Sequence, residues 1–310
     1  MRKYVLHRIL QLIPAILIVS FVVFWLMSLA GDPASVKAGL DASPEEIAEL
    51  RERMGLNRPL IVRYGEYMWN LLHGDMGKDL MGTPVWPKYT ERFPYTLMLI
   101  GYSLLLSTPL AITMGITAAL HKDTFLDNFL TVLCLFLASM PTFWMSLMFQ
   151  LLFAVRLGWL PTSGINKGVF LGLIMPGTIS ALHSMASKLR QTRSSMLDNL
   201  NADYVSTAQA KGVKRHDIIW KHCLRNALLP IITVIGSAMT LGIGGSVVLE
   251  TIFAWPGLGT ITVPAIRGAD YMTACGMILM MTILVGVLNL VVDLAYAFAD
   301  PRVKARYSRM

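Results

Sequence analysis

Residues 203–230 read DYVSTAQAKGVKRHDIIWKHCLRNALLP, a basic and amphipathic segment with interspersed alanine and glycine. Apolar runs flank it, at residues 168–187 and 227–249. A basic segment next to apolar runs is typical of a loop that stays on the cytoplasmic side of a membrane. The arrangement therefore predicts a membrane protein that crosses the bilayer several times. It also favours docking of another protein on this loop.

The composition favours the same class of protein. Of the 310 residues, 55% are hydrophobic and only 15% are charged, whereas soluble domains have about 25% charged residues. The net charge of +8 also suits a nucleic-acid-binding protein. Because Lys and Arg concentrate beside the apolar runs, we interpret that charge as membrane orientation and expect no nucleic-acid partner. Cys134, Cys223 and Cys275 lack the spacing of metal ligands, so we expect no zinc site or disulfide framework.

Six apolar segments are long enough to cross a bilayer, which takes about 20 helical residues. They cover residues 9–30, 95–120, 128–155, 168–187, 227–249 and 271–292. With the N-terminus inside, sixteen Lys and Arg residues fall on the cytoplasmic side and three in the short outside loops. The excess places both termini in the cytoplasm. We therefore predict an all-α, single-domain membrane protein over residues 1–310 that spans the bilayer six times. It has an extracytoplasmic loop at 31–94 and a cytoplasmic loop at 188–226.

The first outside loop has helical signals of its own. Ser43 and Glu46 have the spacing of a capping box, Pro44 suits the first helical position, and Gly55 suits the helix end. A second amphipathic stretch at residues 60–72 follows. The apolar faces predicted for the two helices consist of Ile47, Leu50 and Met54, and of Ile61, Tyr64, Met68 and Leu71. These helices are expected either to contact the membrane surface or a soluble partner, or to cover the bundle.

Small residues and prolines interrupt the spans. Gly242 and Gly245, among other small residues of the fifth span, suit either close helix packing or the lining of a pore. The apolar loop at 250–259 is expected to dip into the outer leaflet, with Trp255 anchored at the interface. We predict that a pore or gate includes Gly242, Gly245, Glu250, Trp255 and Pro256. The span prolines indicate either hinges or packing irregularities; they are Pro14, Pro109, Pro141 and Pro176.

Short motifs in a fixed order along the chain carry a family resemblance. They are YVLHRIL at 4–10, GDPA at 31–34, MGLNRPL at 54–60, GDMG at 74–77, SMPTFW at 139–144, LGWLP at 157–161, DYVSTAQAKG at 203–212, RNALLP at 225–230, ETIFAWPGLG at 250–259, NLVVD at 289–293 and DPR at 300–302. Together they resemble the membrane subunits of binding-protein-dependent ABC importers of the dipeptide, oligopeptide and nickel group. One departure is Leu224-Arg225, where the broader importer motif has Leu-Pro; here Leu229-Pro230 follows a few residues later.

The resemblance implies a permease in a bacterial inner membrane that forms half of a translocation path. Its expected partners are a second, related permease in a heterodimer, two ATPase subunits and an extracytoplasmic substrate-binding protein. ATP and Mg²⁺ are expected in the ATPase subunits, and this chain is expected to bind no cofactor and to be no enzyme. The resemblance places the ATPase-coupling helix at Asp203, Tyr204, Ala208, Ala210, Lys211, Gly212, Lys214 and Arg215. For the three basic residues, simple membrane orientation is the alternative.

The substrate and two other functions remain open at the level of sequence. Small peptides are the default of the group, and nickel or a nickel chelate is the main rival. The methionines of the sixth span are possible ligands along a metal path. Thioethers, however, prefer softer metals than nickel(II), and methionine is also a common apolar filler, so we favour packing over metal binding. A membrane-embedded enzyme would need a catalytic group inside a span, for which His183, Cys134 and Cys275 are the candidates. A receptor or purely structural subunit would leave the coupling-type loop unexplained.

Overall fold

The structure is a computed structural model. It describes the backbone of residues 2–39 and 41–299 and the side chains of residues 9–39 and 41–295. Every regular element in this part of the chain is a helix. The helices are α1 Arg2–Ala30, α2 Pro33–Ala38, α3 Pro44–Arg53, α4 Leu60–Leu72, α5 Val85–Leu120, α6 Phe125–Ser139, α7 Thr142–Phe149, α8 Val169–Leu200, α9 Asp203–Ala210, α10 Arg215–Asp217, α11 Leu224–Ile252, α12 Gly259–Arg267 and α13 Tyr271–Ala299. Helix α7 continues as the π-helix Gln150–Arg156, and Ile218–Cys223 forms a π-helix between α10 and α11.

The predicted all-α membrane fold is confirmed, with corrections to individual spans. Five helices are long and apolar enough to cross a membrane, and a bent pair of helices raises the number to six. The predicted third span is this pair, α6 and α7 with its π-helical end, which is bent by 97°. Pro141 lies at the bend, where it has no N–H to continue the helix. Pro14, Pro109 and Pro176 lie inside continuous helices instead.

Two further boundaries differ from the sequence prediction. The fourth span was expected to end at Ser187, but α8 continues through Lys188 and Arg193 to Leu200. Much of the predicted cytoplasmic loop at 188–226 is therefore helical. Charged residues end an apolar run without ending a helix, because Lys and Arg are good helix formers. The second span begins at Val85 rather than near residue 95, which shortens the first outside loop. The basic tail at 302–309, part of the orientation argument, lies outside the described residues.

The described residues form two compact units. The first consists mainly of Met98–Trp255, joined by residues from Val287 onward, and the second of Ile9–Leu97 with Pro256–Gly286. In the first unit, α6 and α8 pack around Ala111, Cys134, Met185, Ala186 and Leu189. In the second unit, aromatic and small side chains form the core; its buried members are Phe24, Met27, Tyr67, Ala265, Ala269, Tyr271, Ala274, Cys275 and Leu279.

The helices of the loop at 31–94, which the sequence predicts to lie outside, form as predicted, with one face corrected. Ser43 and Glu46 make the reciprocal hydrogen bonds of a capping box, and Gly55 has a φ of 67° just after α3 ends. Helix α4 packs Tyr64, Met68 and Leu71 against the core of the second unit, as predicted. Ile61 was assigned to the same face, which is wrong, because its side chain is 73% exposed. Leu60 and Tyr67 take its place at helical spacing.

The loop before Val85 is held by a buried carboxylate. Asp79 accepts a hydrogen bond from the backbone N–H of Thr83 at 2.7 Å and pairs with the Lys88 ammonium. Burial alone would raise the pKa of Asp79, but the hydrogen bonds and the charge of Lys88 together hold it below its ordinary value. The carboxylate therefore remains charged at neutral pH and fixes the turn that leads into α5.

Trp255 does not anchor the loop at the membrane interface. Its side chain has no exposed surface, and Phe253 and Leu258 are buried as well. The Trp255 N–H donates to the Glu250 carbonyl oxygen at 2.9 Å, which closes the turn at the end of α11. The expectation of an interfacial tryptophan is therefore wrong. The loop is apolar because its side chains belong to the interior of the protein.

Close packing of α5 against α8 gives a testable expectation for Gly115. A Cβ atom there would lie 2.6 Å from the Thr192 Cβ and 2.9 Å from the Leu189 carbonyl oxygen. Overpacking of this kind costs about 1–3 kcal/mol, so Gly115→Val should lower the unfolding temperature. The readout is the reaction of the buried cysteines with a thiol-specific dye during heating of the detergent-solubilised protein. Gly101→Val, on the same helix but with open space around it, is the matched control.

Candidate functional site

Helix α9 ends in a Schellman motif centred on Gly212. The N–H of Gly212 donates to the Gln209 carbonyl oxygen at 2.9 Å, and the N–H of Val213 donates to the Ala208 carbonyl oxygen at 3.1 Å. Gly212 has a φ of 74°, a left-handed conformation that glycine adopts without steric cost. The turn that the sequence predicted at Gly212 is therefore present, and it redirects the chain after two helical turns.

The two faces of α9 have different surroundings. Tyr204, Val205 and Ala208 pack against a core cluster of the first unit that includes Met196 and Cys223. The Tyr204 hydroxyl donates to Asn199 Oδ1 at 2.9 Å, and burial raises the pKa of this tyrosine. Tyr204 and Ala208, both predicted coupling residues, thus fix the helix to its own chain. The exposed predicted residues are Asp203, Ala210, Lys211, Gly212, Lys214 and Arg215.

The exposed face is basic beyond the predicted residues. His216 and Lys221 both lie within ion-pair distance of Asp217, at 3.6 Å and 2.9 Å. Lys211, Lys214 and Arg215 have no ion pair among the described residues, so their charge faces outward. A small helix with a cationic rim can enter a groove that has acidic residues at its edge.

A cavity of 630 Å³ lies within the first unit. Its volume falls in the range of small-molecule binding sites, about 300–1,000 Å³. Helix α8 supplies a polar wall, whose members recur every three or four residues and share one helix face. These are Ser180, His183, Ser184, Ser187 and Arg190. Helix α11 supplies an opposing wall of mainly small and aliphatic residues, among them Val234, Ser237, Ala238, Leu241, Gly242 and Gly245.

The cavity separates the predicted pore residues into two groups. Gly242 and Gly245 line it, and a Cβ atom at either position would meet open space. Gly236, on the same helix, instead allows close packing, because a Cβ there would lie 2.3 Å from the Val292 side chain. Of the two roles left open by the sequence, close packing holds for Gly236, whereas the pore role of Gly242 and Gly245 stays a prediction. Glu250 and Trp255 are fully buried and are not among the residues that line this cavity. Pro256, also predicted, belongs to the second unit.

Two charged residues of α8 with partners on other helices, the buried Lys188 and the half-buried Arg193, were missed by sequence reasoning. Lys188 has no exposed surface, and its Nζ donates to Ser107 Oγ at 2.5 Å and Ser184 Oγ at 3.3 Å. Arg193 makes a bidentate ion pair with Asp127, with both N–O distances 2.6 Å. Lys188 and Arg193 were counted as orienting charges only. Both residues follow an apolar run. When a helix continues past such a run, as α8 does, its next charged residues can also pack against neighbouring helices, and the sequence could have indicated this.

Two family descriptions of membrane transport components match the chain over almost its whole length. Residues 111–305 match the family described as "Binding-protein-dependent transport system inner membrane component", and residues 1–100 match the N-terminal family of such membrane components. A putative peptide transport system permease protein of Brucella abortus is 40% identical, and the match covers 98% of this chain and 99% of that protein. The oligopeptide transport system permease protein AppB of Bacillus subtilis is 37% identical, with 98% and 100% covered.

A third relative and one solved structure extend the comparison. The dipeptide transport system permease protein DppB of Alkalihalophilus pseudofirmus is 36% identical over 98% of this chain and 100% of its own length. The methionine ABC transporter MetNI, in an inward-facing conformation, is similar in fold, with a TM-score of 0.53 and 16% identity. That similarity covers 76% of this chain and 98% of the MetNI chain. The chain belongs to the family of inner-membrane permease components of binding-protein-dependent ABC importers.

Proposed function

We propose that this chain is the permease subunit of an ATP-driven importer and forms half of the translocation path for small peptides. As a member of its family it is a transport subunit and a multi-pass protein of the bacterial cytoplasmic membrane. The observation that carries the peptide assignment is the full-length match, at 36–40% identity, to proteins named as peptide, oligopeptide and dipeptide permeases. In this proposal residues 1–310 form a single transmembrane domain with both termini in the cytoplasm.

The proposed partners follow from the family. A second, related permease completes the path, and an extracytoplasmic binding protein delivers the peptide. Two ATPase subunits bind ATP and Mg²⁺ on the cytoplasmic side. Closure of the ATPase dimer then switches the path between inward-open and outward-open states, because ATP binds these states with different affinity.

The exposed side of α9 is the proposed contact with an ATPase subunit. Ala210 and Gly212 are small, so the exposed side can fit into a narrow groove. Lys211, Lys214 and Arg215 surround it with positive charge. Its buried side is packed onto α8, α11 and the segment before α11, so a pull on the short helix reaches the helices that line the cavity. Packed side chains and rigid helices of this kind can carry a movement from one site to another.

The charge of the cavity favours peptides over nickel. His183 and Arg190 are the ionisable residues of its lining, and an arginine side chain stays protonated at any physiological pH. Nickel(II) as a bare cation would be repelled by Arg190, whereas a peptide offers a carboxylate and backbone hydrogen-bonding groups to the serine-rich wall. A nickel chelate with negative charge remains the second candidate on the same observation.

The test of the proposal is paired uptake in cells with and without this chain. Labelled dipeptide and radioactive nickel are supplied in parallel, at equal expression of the other subunits. We expect dipeptide uptake to disappear without the chain and nickel uptake to stay unchanged. Loss of nickel uptake alone would overturn the peptide assignment in favour of the second candidate.

The cavity's place on the peptide path gives a prediction for Gly245. A leucine at this position would extend into the cavity without meeting neighbouring atoms near its Cβ, so the fold should tolerate it while the path narrows. We expect several-fold lower dipeptide uptake by Gly245→Leu at an unchanged protein level. Gly244→Leu is the matched control, because Gly244 also has open space around it but does not line the cavity. Equal uptake by the two variants would remove the cavity from the path.

A further inference from the structure

We propose that the Ser184–Arg190 end of the cavity binds the C-terminal carboxylate of the transported peptide, through Arg190 and with the buried charge of Lys188 behind it. This inference rests on the proposed function, since it assigns an orientation to a peptide inside the cavity. It adds a specificity-determining site to a chain otherwise assigned only a path.

Positive charge is concentrated at this end of the cavity. Arg190 lies on the lining and is exposed, so its guanidinium can reach a ligand. Guanidinium groups bind carboxylates through two parallel hydrogen bonds, which gives both energy and a fixed orientation. His183, the other ionisable residue of the lining, is neutral or cationic and adds no negative charge. An anionic group is therefore the natural ligand here.

Lys188 provides a second, independent observation. Its side chain is fully buried, and its hydrogen-bond partners among the described residues are the hydroxyl oxygens of Ser107 and Ser184. A buried ammonium is costly unless a negative charge lies nearby. Ser184 itself lines the cavity, and its Oγ accepts a hydrogen bond from the Lys188 ammonium at 3.3 Å. A carboxylate in the cavity would supply the counter-charge that hydroxyl groups cannot.

The dimensions of the polar wall suit a short peptide. Ser180 and Arg190 are ten residues apart on one helix face, about 15 Å at 1.5 Å per residue. An extended peptide of four residues covers about 13 Å at 3.3 Å per residue. With its carboxylate at Arg190, such a peptide places its backbone along Ser187, Ser184 and Ser180. The Ser184 and Ser187 hydroxyls donate to the carbonyl oxygens of Ala181 and Ser184, so they can accept hydrogen bonds from the N–H groups of a peptide of any sequence. Side chains then face the small residues Gly242 and Gly245 of α11.

The experiment compares a free acid with its amide in the complete transporter. Proteoliposomes containing all subunits receive labelled trialanine or labelled trialanine amide, with saturating binding protein and ATP. Any preference of the binding protein is the same for every variant, so it cancels when acid-to-amide uptake ratios are compared between variants. For Arg190→Gln we expect this ratio to fall about tenfold from the wild-type value, the effect of losing a hydrogen bond to a charged group.

Two further variants keep the test independent of folding. Lys188→Met removes the buried charge but keeps an apolar side chain of similar length, and it should lower the same ratio. Arg156→Gln, at an exposed arginine that does not line the cavity, should leave the ratio unchanged. If the wild type transports trialanine and both cavity variants keep its ratio, the carboxylate site is refuted while the peptide path stands. If the wild type transports neither compound but carries nickel, the proposed function itself fails.

Discussion

Gly212→Pro should abolish peptide uptake while the chain still inserts and assembles. Proline fixes φ near −65°, but Gly212 has a φ of 74°, and its N–H donates to the Gln209 carbonyl oxygen. The substitution therefore breaks the turn after α9 and displaces the exposed basic residues that follow it. We expect uptake at the background of cells that lack the chain. We also expect ATP hydrolysis by the complex that no longer increases when peptide-loaded binding protein is added.

A second substitution at the same position tests whether function depends on the left-handed turn or on glycine itself. Asparagine tolerates the left-handed conformation better than other non-glycine residues, so Gly212→Asn should retain most of the uptake. Both variants are compared at equal membrane levels of the chain. Wild-type uptake by Gly212→Pro would show that α9 and its turn do not transmit the ATPase movement.

Asp127→Leu should cause the largest loss of stability of any single change considered. Asp127 is 1% exposed, and its two carboxylate oxygens accept hydrogen bonds from Nε and Nη2 of Arg193. This ion pair joins α6 to α8. It also accepts a hydrogen bond from the Asp123 N–H at 3.0 Å. Removing one partner of a fully buried pair costs about 3–5 kcal/mol, because the other charge is left without compensation. The Arg193 side chain is 26% exposed, so water solvates part of its charge, and we expect a loss nearer the lower end of that range. The cysteine-reactivity assay on the solubilised protein should therefore show a much lower unfolding temperature.

The double variant tests whether the stranded charge is the cause. Asp127→Leu combined with Arg193→Met replaces the pair with apolar side chains, and such replacements are often neutral. We expect the double variant to unfold closer to the wild type than to Asp127→Leu. An additive or larger loss in the double variant would mean that packing, rather than charge, accounts for the effect.

Local sequence signals predicted most of the fold. Five of the six apolar segments, the Ser43 capping box and the Gly212 turn each depend on a few neighbouring residues, and the structure confirms them. The third segment is a bent pair of helices. The errors depend on distant contacts. Helix α8 runs beyond Ser187 because its charged residues find partners on α5 and α6, such as Ser107 and Asp127. Apolarity alone could not distinguish a tryptophan at the membrane interface from one in the interior, as Trp255 shows.

The candidate site was predictable in part. The sequence indicated α9 and the small residues Gly242 and Gly245, since a basic loop and a glycine-rich span stand out from ordinary membrane segments. Which small residue packs and which lines a cavity depends on the neighbouring helix, as the contrast between Gly236 and Gly245 shows. The sequence of the fourth span already contains polar residues spaced three to four apart, which form the polar face that ends at Arg190. The face was missed because the predicted span ended at Ser187, before Arg190.

The most direct test is ATP-dependent accumulation of labelled dipeptide in proteoliposomes that contain this chain, its partner permease, both ATPase subunits and the binding protein. We expect accumulation only with Mg-ATP and binding protein present, and none when this chain is replaced by Gly212→Pro. Accumulation that proceeds without ATP, or with the Gly212→Pro chain at the wild-type rate, would contradict an importer driven through α9. Accumulation of nickel in place of dipeptide would contradict the peptide path.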